Sequence, residues 1–305
     1  MEKINKVLLL GSNGQIGSNI KKKLFKIGKK NKCLSKQELN LENLVSIEKS
    51  LNKIKPNMII NAAAFTKVDE AEIKKKKCYK INVLSTKKIA DWCYKNNCFL
   101  VHYSTVYIFD GKNNKDWKEN NKPKPINFYG KSKLEAEKKI FSSKCNYLIL
   151  RLNWIYSDYG NNFPSKIIKK IKKEKNLSIV NDQFGTPNHA EFISNISIKI
   201  LQKIINSKIN PKILNISARG KTNYYKLTEK ILNKLGSAFQ SCNLIPIDSY
   251  TYRKLGKNTP IVKRPSNSLL NLRKLENFLN VKMPYWDQIF EKKIKKLIKN
   301  TLKNY

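Results

Sequence analysis

Arginine is nearly missing from this chain. Of its 62 basic residues only five are Arg: Arg151, Arg219, Arg253, Arg264 and Arg273. Arginine is the side chain that grips phosphates and guanine edges with two parallel hydrogen bonds. The net charge of +40 is carried almost entirely by lysine, spread along the whole length with much asparagine beside it. That pattern reads as compositional drift and a solvated surface, so no nucleic-acid partner is expected. A general attraction for anionic small molecules still follows from the charge.

Histidine is scarcer still, with only His102 and His189. The six cysteines, Cys33, Cys78, Cys93, Cys98, Cys145 and Cys242, form no C-x-x-C pair. A zinc site is thereby disfavoured and no metal is expected. The cysteines read as reduced residues of a cytoplasmic core. Long apolar runs are also absent. Nothing approaches the roughly 20 residues of a membrane span, and Val7–Leu10 is too short for the apolar part of a signal peptide. There is no internal repeat and no linker.

What is present is enough for a substantial core: 305 residues, 40% of them hydrophobic. Short apolar runs alternate with longer amphipathic ones. Strands are expected at Val7–Leu10, near Lys32–Ser35, and at Met58–Ala62, Phe99–Ser104, Tyr147–Leu152 and Lys212–Ser217. Helices are expected at Ser18–Ile27, Val45–Ile54, Ala71–Asn97 (in two pieces) and Ser132–Phe141. This rhythm predicts an α/β fold, a Rossmann-like doubly wound parallel sheet with helices on both faces. Beyond Arg151 it becomes irregular, which predicts a smaller, discontinuous C-terminal lobe. We place the dinucleotide-binding core at 1–158 plus about 186–218, and a substrate lobe at about 159–185 plus 219–305.

The first strand runs into Gly11-Ser12-Asn13-Gly14-Gln15-Ile16-Gly17. In such a loop the first glycine permits the tight turn, the second lets backbone approach a pyrophosphate, and the third lets the following helix pack on the strand. Strand, glycines and helix in this order predict dinucleotide binding. No acid for the ribose hydroxyls is evident after the second strand, where Ser35 and Lys36 stand instead. A basic residue there suits a 2′-phosphate, hence NADPH, with NADH also compatible.

Tyr129 and Lys133 lie four residues apart at the start of an expected helix, on one face. A tyrosine beside an ammonium and a nicotinamide cation would ionise more easily and serve as general acid to a carbonyl oxygen. Ser104 and Thr105 close a strand, where ligands gather in open α/β sheets.

These residues resemble the extended short-chain dehydrogenases, and within them the dTDP-4-dehydrorhamnose reductase family, nearly end to end. The matching segments are "GSNGQIG", "NAAAFTKVDEAE" (61–72), "VHYSTVYIFDG" (101–111), "YGKSKLEAE" (129–137) and "RLNWIYS" (151–157). "VNDQFGTP" (180–187) and "RPSNSLLN" (264–271) separate this family from nucleotide-sugar epimerases and dehydratases. The resemblance implies reduction of the C4 ketone of a dTDP-linked deoxysugar to dTDP-L-rhamnose, by hydride from NADPH or NADH. It implies Tyr129 as proton donor, Lys133 binding cofactor and tuning Tyr129, and Thr105 bonded to the reacting oxygen. Asn40, Leu41 and Ala62, Ala63 and Ala64 would line the cofactor. Val106, Trp154, Arg264 and Asn267 would meet the nucleotide sugar. Two departures stand out. The family has Asp where this chain has Val106, and usually Asp where it has Asn40. Some relatives hold magnesium on glutamates; Glu191 matches one such position, but Asn19 stands at another. Other readings are a reductase of a different 4-keto sugar, and a non-catalytic NADP-binding subunit like that of methionine adenosyltransferase. A homodimer is left open.

Overall fold

A computed structural model describes residues 5–236, 242–254 and 262–303. In chain order the elements are β1 (Lys6–Leu10), α1 (Gln15–Lys21), β2 (Lys30–Leu34), α2 (Leu44–Ile54), β3 (Met58–Asn61), α3 (Val68–Ile73), α4 (Lys75–Tyr79), α5 (Ser85–Lys95), β4 (Phe99–Thr105), α6 (Phe128–Ser142) and β5 (Tyr147–Leu152). There follow β6 (Ile155–Tyr156), α7 (Phe163–Ile171), β7 (Asn176–Val180), β8 (Phe184–Gly185), β9 (Asn188–His189), α8 (Ala190–Ser207), β10 (Ile213–Asn215), β11 (Thr222–Asn223), α9 (Tyr224–Leu235), β12 (Asn243–Ile247), α10 (Ser249–Lys254), α11 (Arg273–Leu279) and α12 (Trp286–Lys303).

The core is a doubly wound parallel sheet in the order β2-β1-β3-β4-β5-β10. Its strands are continuous apolar runs because both faces are covered. Side chains alternate between the faces. Val7, Leu9, Met58, Ile60, Val101 and Leu150 join Ile20 of α1 and Ile193 and Leu201 of α8 in one cluster. Leu8, Leu10, Ile59, Leu100 and Ile149 join Leu51 of α2, Ile89 of α5 and Ile140 of α6 in the other. A third cluster lies elsewhere, built from Tyr156, Ile168 of α7, Leu177 of β7, Ile231 of α9 and Phe290 of α12. Among the described residues no helix is long and apolar enough to cross a membrane.

Three expected helices differ in ways that bear on the site. The Ser18–Ile27 helix is α1 followed by a separate 3₁₀ turn at Leu24–Lys26. The Ser132–Phe141 helix begins four residues earlier, at Phe128, because Asn127 caps it: its side-chain oxygen accepts from the Gly130 amide at 2.8 Å. The Ala71–Asn97 stretch is three α segments joined through a π turn at Lys80–Leu84.

Candidate active site

Strand order reverses between β1 and β3, and ligands of such sheets bind beyond the strand ends at that reversal. The loops there are pressed together. Gly11 has φ 76°, and a Cβ on it would lie 2.8 Å from the Ala63 nitrogen. A Cβ on Gly17 would lie 2.1 Å from the Gly11 carbonyl oxygen. The Gly11 and Ser12 amides both donate to the Leu34 carbonyl, at 2.9 and 3.1 Å, fastening the loop to the end of β2. A cavity of about 1200 Å³ opens in front of the loop, lined by Gly11, Asn13, Gly14, Gln15 and Ile16, by Asn40 and Leu41, and by Ala62, Ala63 and Ala64. Ser12 and Gly17 sit behind this wall. The volume exceeds that of a typical small-ligand site, and a backbone cradle that side chains would fill fits a dinucleotide. Lys36 lines the cavity past β2, while the Glu38 carboxylate is turned back on the Ser35 amide at 2.7 Å. That bond holds Glu38 below the usual carboxylate range.

The same cavity is also lined by Tyr129, Lys133 and Thr105. Gly130 brings α6 against the turn after β4: a Cβ on it would lie 2.1 Å from the Tyr107 carbonyl oxygen. The Ser132 hydroxyl donates to the Tyr129 carbonyl at 2.7 Å and accepts from Asn82, on the π turn, at 2.9 Å. Thr105 Oγ1 accepts from the Tyr107 amide at 3.2 Å, which leaves its own proton free to donate. Burial pushes the Tyr129 hydroxyl above its ordinary value, and the Thr105 hydrogen bond opposes this. Lys133 is only 2% exposed. Its Nζ lies 2.6 Å from the Tyr103 carbonyl oxygen and 2.9 Å from His102 Nε2. Burial lowers it to about 8, with Glu137 opposing. The expected easing of Tyr129 ionisation by an ammonium is therefore not what dominates here. Desolvation acts the other way, and Lys133 Nζ is engaged with Tyr103 and His102.

The far wall carries an aromatic stack. Trp154, in the left-handed region at φ 30°, lies on Tyr224 with centroids 4.0 Å apart. Arg264 Nη2 meets Asp69 Oδ2 at 2.6 Å, and Nη1 donates to the Val262 carbonyl at 2.9 Å. Lys166, Arg253 and Tyr107 also line the cavity. Sequence reasoning did not single out these three, or Asp69 and Tyr224. Ser104, which the sequence places with Thr105 at the end of its strand, also lines the cavity, and its buried hydroxyl has no partner among the described residues.

Two residues expected at the nucleotide sugar are placed elsewhere. Val106 is wholly buried in an apolar cluster with Ile108, Phe109, Trp117 and Leu270. The 3₁₀ turn Val106–Ile108 turns the chain after Thr105, and an apolar side chain there goes inward. Asn267 Nδ2 donates to the carbonyls of Asn113 and Lys115, at 2.6 and 3.1 Å, and so pins a neighbouring loop. Glu191 pairs with Lys293 at 2.5 Å, and Asn19 donates to the Gln15 carbonyl. Among the described residues, no group of three or more His, Cys, Asp or Glu is placed to hold a metal.

The profile of the RmlD substrate binding domain matches residues 5–299. The chain is 29% identical over 289 residues to a dTDP-4-dehydrorhamnose reductase of Salmonella typhimurium, covering 92% of this chain and 94% of the relative. It is 30% identical to one from Aggregatibacter actinomycetemcomitans, covering 93% and 96%. Among solved structures, it is similar to a dTDP-4-dehydrorhamnose reductase of Bacillus anthracis in complex with NADP, with a TM-score of 0.83, 27% identity and coverage of 96% and 99%. A loop built for a dinucleotide, Tyr129, Lys133 and Thr105 lining the same cavity and similarity over nearly the whole length agree: the chain belongs to the RmlD family, the family of the dTDP-4-dehydrorhamnose reductases.

Proposed function

We infer that the protein is an NAD(P)H-dependent reductase of the C4 ketone of dTDP-4-dehydro-L-rhamnose, giving dTDP-L-rhamnose for surface polysaccharide. The observation that carries this reading is that Tyr129, Thr105 and Lys133 line the same cavity as the glycine loop and Ala62–Ala64. The glycine loop and Ala62–Ala64 hold the dinucleotide, and Ser104 offers it an unpaired hydroxyl. When bound, the reduced nicotinamide supplies the hydride. Tyr129 gives its phenolic proton to the ketone oxygen as negative charge grows there. Thr105 donates to that oxygen, and Lys133 holds the cofactor and the proton supply. Trp154 packs on the sugar, and Arg264 exchanges part of its Asp69 contact for the diphosphate.

The parallel sheet forms the dinucleotide lobe in this reading, and the third apolar cluster anchors the nucleotide-sugar lobe. The six free thiols agree with a cytoplasmic protein. A second reading rests on Val106. With an apolar residue in place of the family's Asp, and that residue buried, a different 4-keto sugar fits as substrate.

The test mixes purified protein, NADPH and dTDP-4-dehydro-L-rhamnose and follows the nicotinamide absorbance. Turnover is expected, reduced by ~10²–10⁴ in Tyr129→Phe with cofactor binding kept. Undiminished turnover in that variant sinks the mechanism. Bound NADPH with no turnover points to a binding subunit, unless another 4-keto nucleotide sugar is reduced in its place.

A further inference from the structure

We propose that Asn61 and His102 form a hydrogen-bond device that sets the protonation of Lys133. Asn61 holds His102 as its Nε2–H tautomer, and that proton is offered to Lys133 Nζ as an amine. The proposal rests on the reading that Lys133 takes part in the reduction, and it deepens that reading.

Asn61 ends β3 and stands opposite His102 of β4 in the parallel register. Both are 1% exposed. The Asn61 side-chain oxygen accepts from the Ala63 amide at 3.2 Å, which settles the amide orientation. Its Nδ2 therefore faces His102 Nδ1, at 3.3 Å. An amide NH₂ only donates, so Nδ1 accepts and carries no proton. The proton of the neutral ring then sits on Nε2, which lies 2.9 Å from Lys133 Nζ. Nζ accepts a hydrogen bond only as an amine. That amine still donates to the Tyr103 carbonyl, at 2.6 Å.

The ammonium form always leaves one mismatch. With the ring proton on Nε2, donor faces donor at Lys133. With it on Nδ1, donor faces donor at Asn61. The surrounding charges agree. On its own helix Lys133 faces Tyr129 and Glu137, and both Glu137 oxygens are held by Arg151 of β5, at 3.0 and 2.7 Å. That pair is neutral as a unit, so no carboxylate is left for Lys133 alone. Cys78 of α4 is the remaining titratable neighbour, and burial keeps its thiol protonated. His102 resists taking a second proton for the same reason of burial. An ammonium at Lys133 is thus weakly held and releases its proton readily toward the cavity, where Tyr129 needs one after each turnover. The balance is simple: one N–H bond breaks at Nζ, one O–H bond forms at Tyr129, and Nζ regains a proton from solvent.

The chain has only two histidines, so ¹⁵N-histidine labelling of the full chain without cofactor gives two ring systems to read. Above about pH 8, where Lys133 is an amine, the expected result is the Nε2–H tautomer for His102, with its ¹⁵N shifts following a single titration near pH 8 as Lys133 ionises. Asn61→Asp puts an acceptor and a negative charge opposite Nδ1. It is expected to move the ring proton to Nδ1, and to shift the alkaline limb of the kcat/KM profile upward by about one pH unit or more. An Nδ1–H tautomer in the wild type above about pH 8 overturns the proposal, as does an Asn61→Asp protein with tautomer and alkaline limb both unchanged. If that variant does not fold, the wild-type tautomer decides. The expected tautomer together with full activity in Lys133→Met leaves the device standing and overturns the functional reading instead.

Discussion

Tyr129 and Lys133 share a helix face and a cavity, yet burial moves their proton equilibria in opposite directions. Desolvation disfavours the charged form of each, raising the phenol and lowering the amine. The lysine has a consequence for stability. Its folded value of about 8 lies below the ~10.4 of an unfolded lysine. Between those values the unfolded chain binds more protons, so the stability linked to this group rises as pH climbs from about 8 to ~10.4. Lys133→Met is expected to stabilise the protein by up to ~3 kcal/mol at pH 7. That advantage fades by pH 10.5 when urea unfolding of both proteins is compared. A gap that does not change with pH would show that Lys133 is not held as described. Arg264 offers a second residue-scale test. Its guanidinium is tied to Asp69, within reach of the sugar end of the cavity. Arg264→Ala is expected to raise KM for the nucleotide sugar by ~10-fold to 100-fold, the worth of a charge-assisted hydrogen bond. Its KM for NADPH should barely move; an equal rise in both would place Arg264 outside the sugar site.

At the scale of the element, α6 matters most, and its N-terminus is over-determined. Asn127 caps it, the Glu72 carboxylate accepts from the Phe128 amide at 2.6 Å, and Gly130 lets it touch the Tyr107 turn. Gly130→Ala forces a methyl group into backbone at 2.1 Å, so the helix must move. The expected cost is ~1–3 kcal/mol, together with a loss of kcat larger than the loss of cofactor affinity. Thermal unfolding and NADPH titration separate the two. Further along, Glu137 and Arg151 form an ion pair at 0% and 3% side-chain exposure. Removing one member leaves a buried charge alone, so Glu137→Ala is expected to destabilise by ~3–5 kcal/mol. A loss under 1 kcal/mol would mean that water reaches the pair. Most of this was legible in the sequence: the alternating apolar strands, the glycine loop and the Tyr129–Lys133 spacing are local patterns. The four-residue error at the start of α6 was not. Phe128–Lys131 carries no helical apolar period, and the cap that starts the helix there is one asparagine in an asparagine-rich chain.

For the molecule as a whole, the charge of +40 acts at long range. The lysine-rich surface draws dinucleotide and nucleotide sugar, both anionic, toward the cavity. Raising ionic strength from 0.01 M to 0.15 M shortens the screening length from about 30 Å to about 8 Å. We expect kcat/KM to fall several-fold over that range while kcat stays nearly constant. A kcat/KM independent of salt would make the charge irrelevant to catalysis. Global packing also decided where the loop after β4 and the segment before α11 went, and here reading by position did not foresee where Val106 and Asn267 lie. Val106 directly follows Thr105 and Asn267 lies three residues past Arg264; Thr105 and Arg264 both line the cavity. Val106 faces into an apolar cluster and Asn267 fastens a loop.

By itself, the sequence determined the period of the strands, the glycine loop and the order of the parallel sheet's building blocks, because each depends on neighbours a few residues away. Only the tertiary structure decided which chemistry-bearing groups share a space. Asn61 and His102 meet because β3 and β4 pair in one register, and Lys133 meets them because α6 packs on β4. Arg264 meets Asp69 across 195 positions. Hydrogen-bond direction and desolvation are properties of such meetings. The protonation of Lys133 and the inward turn of Val106 therefore had no signature in the order of the residues.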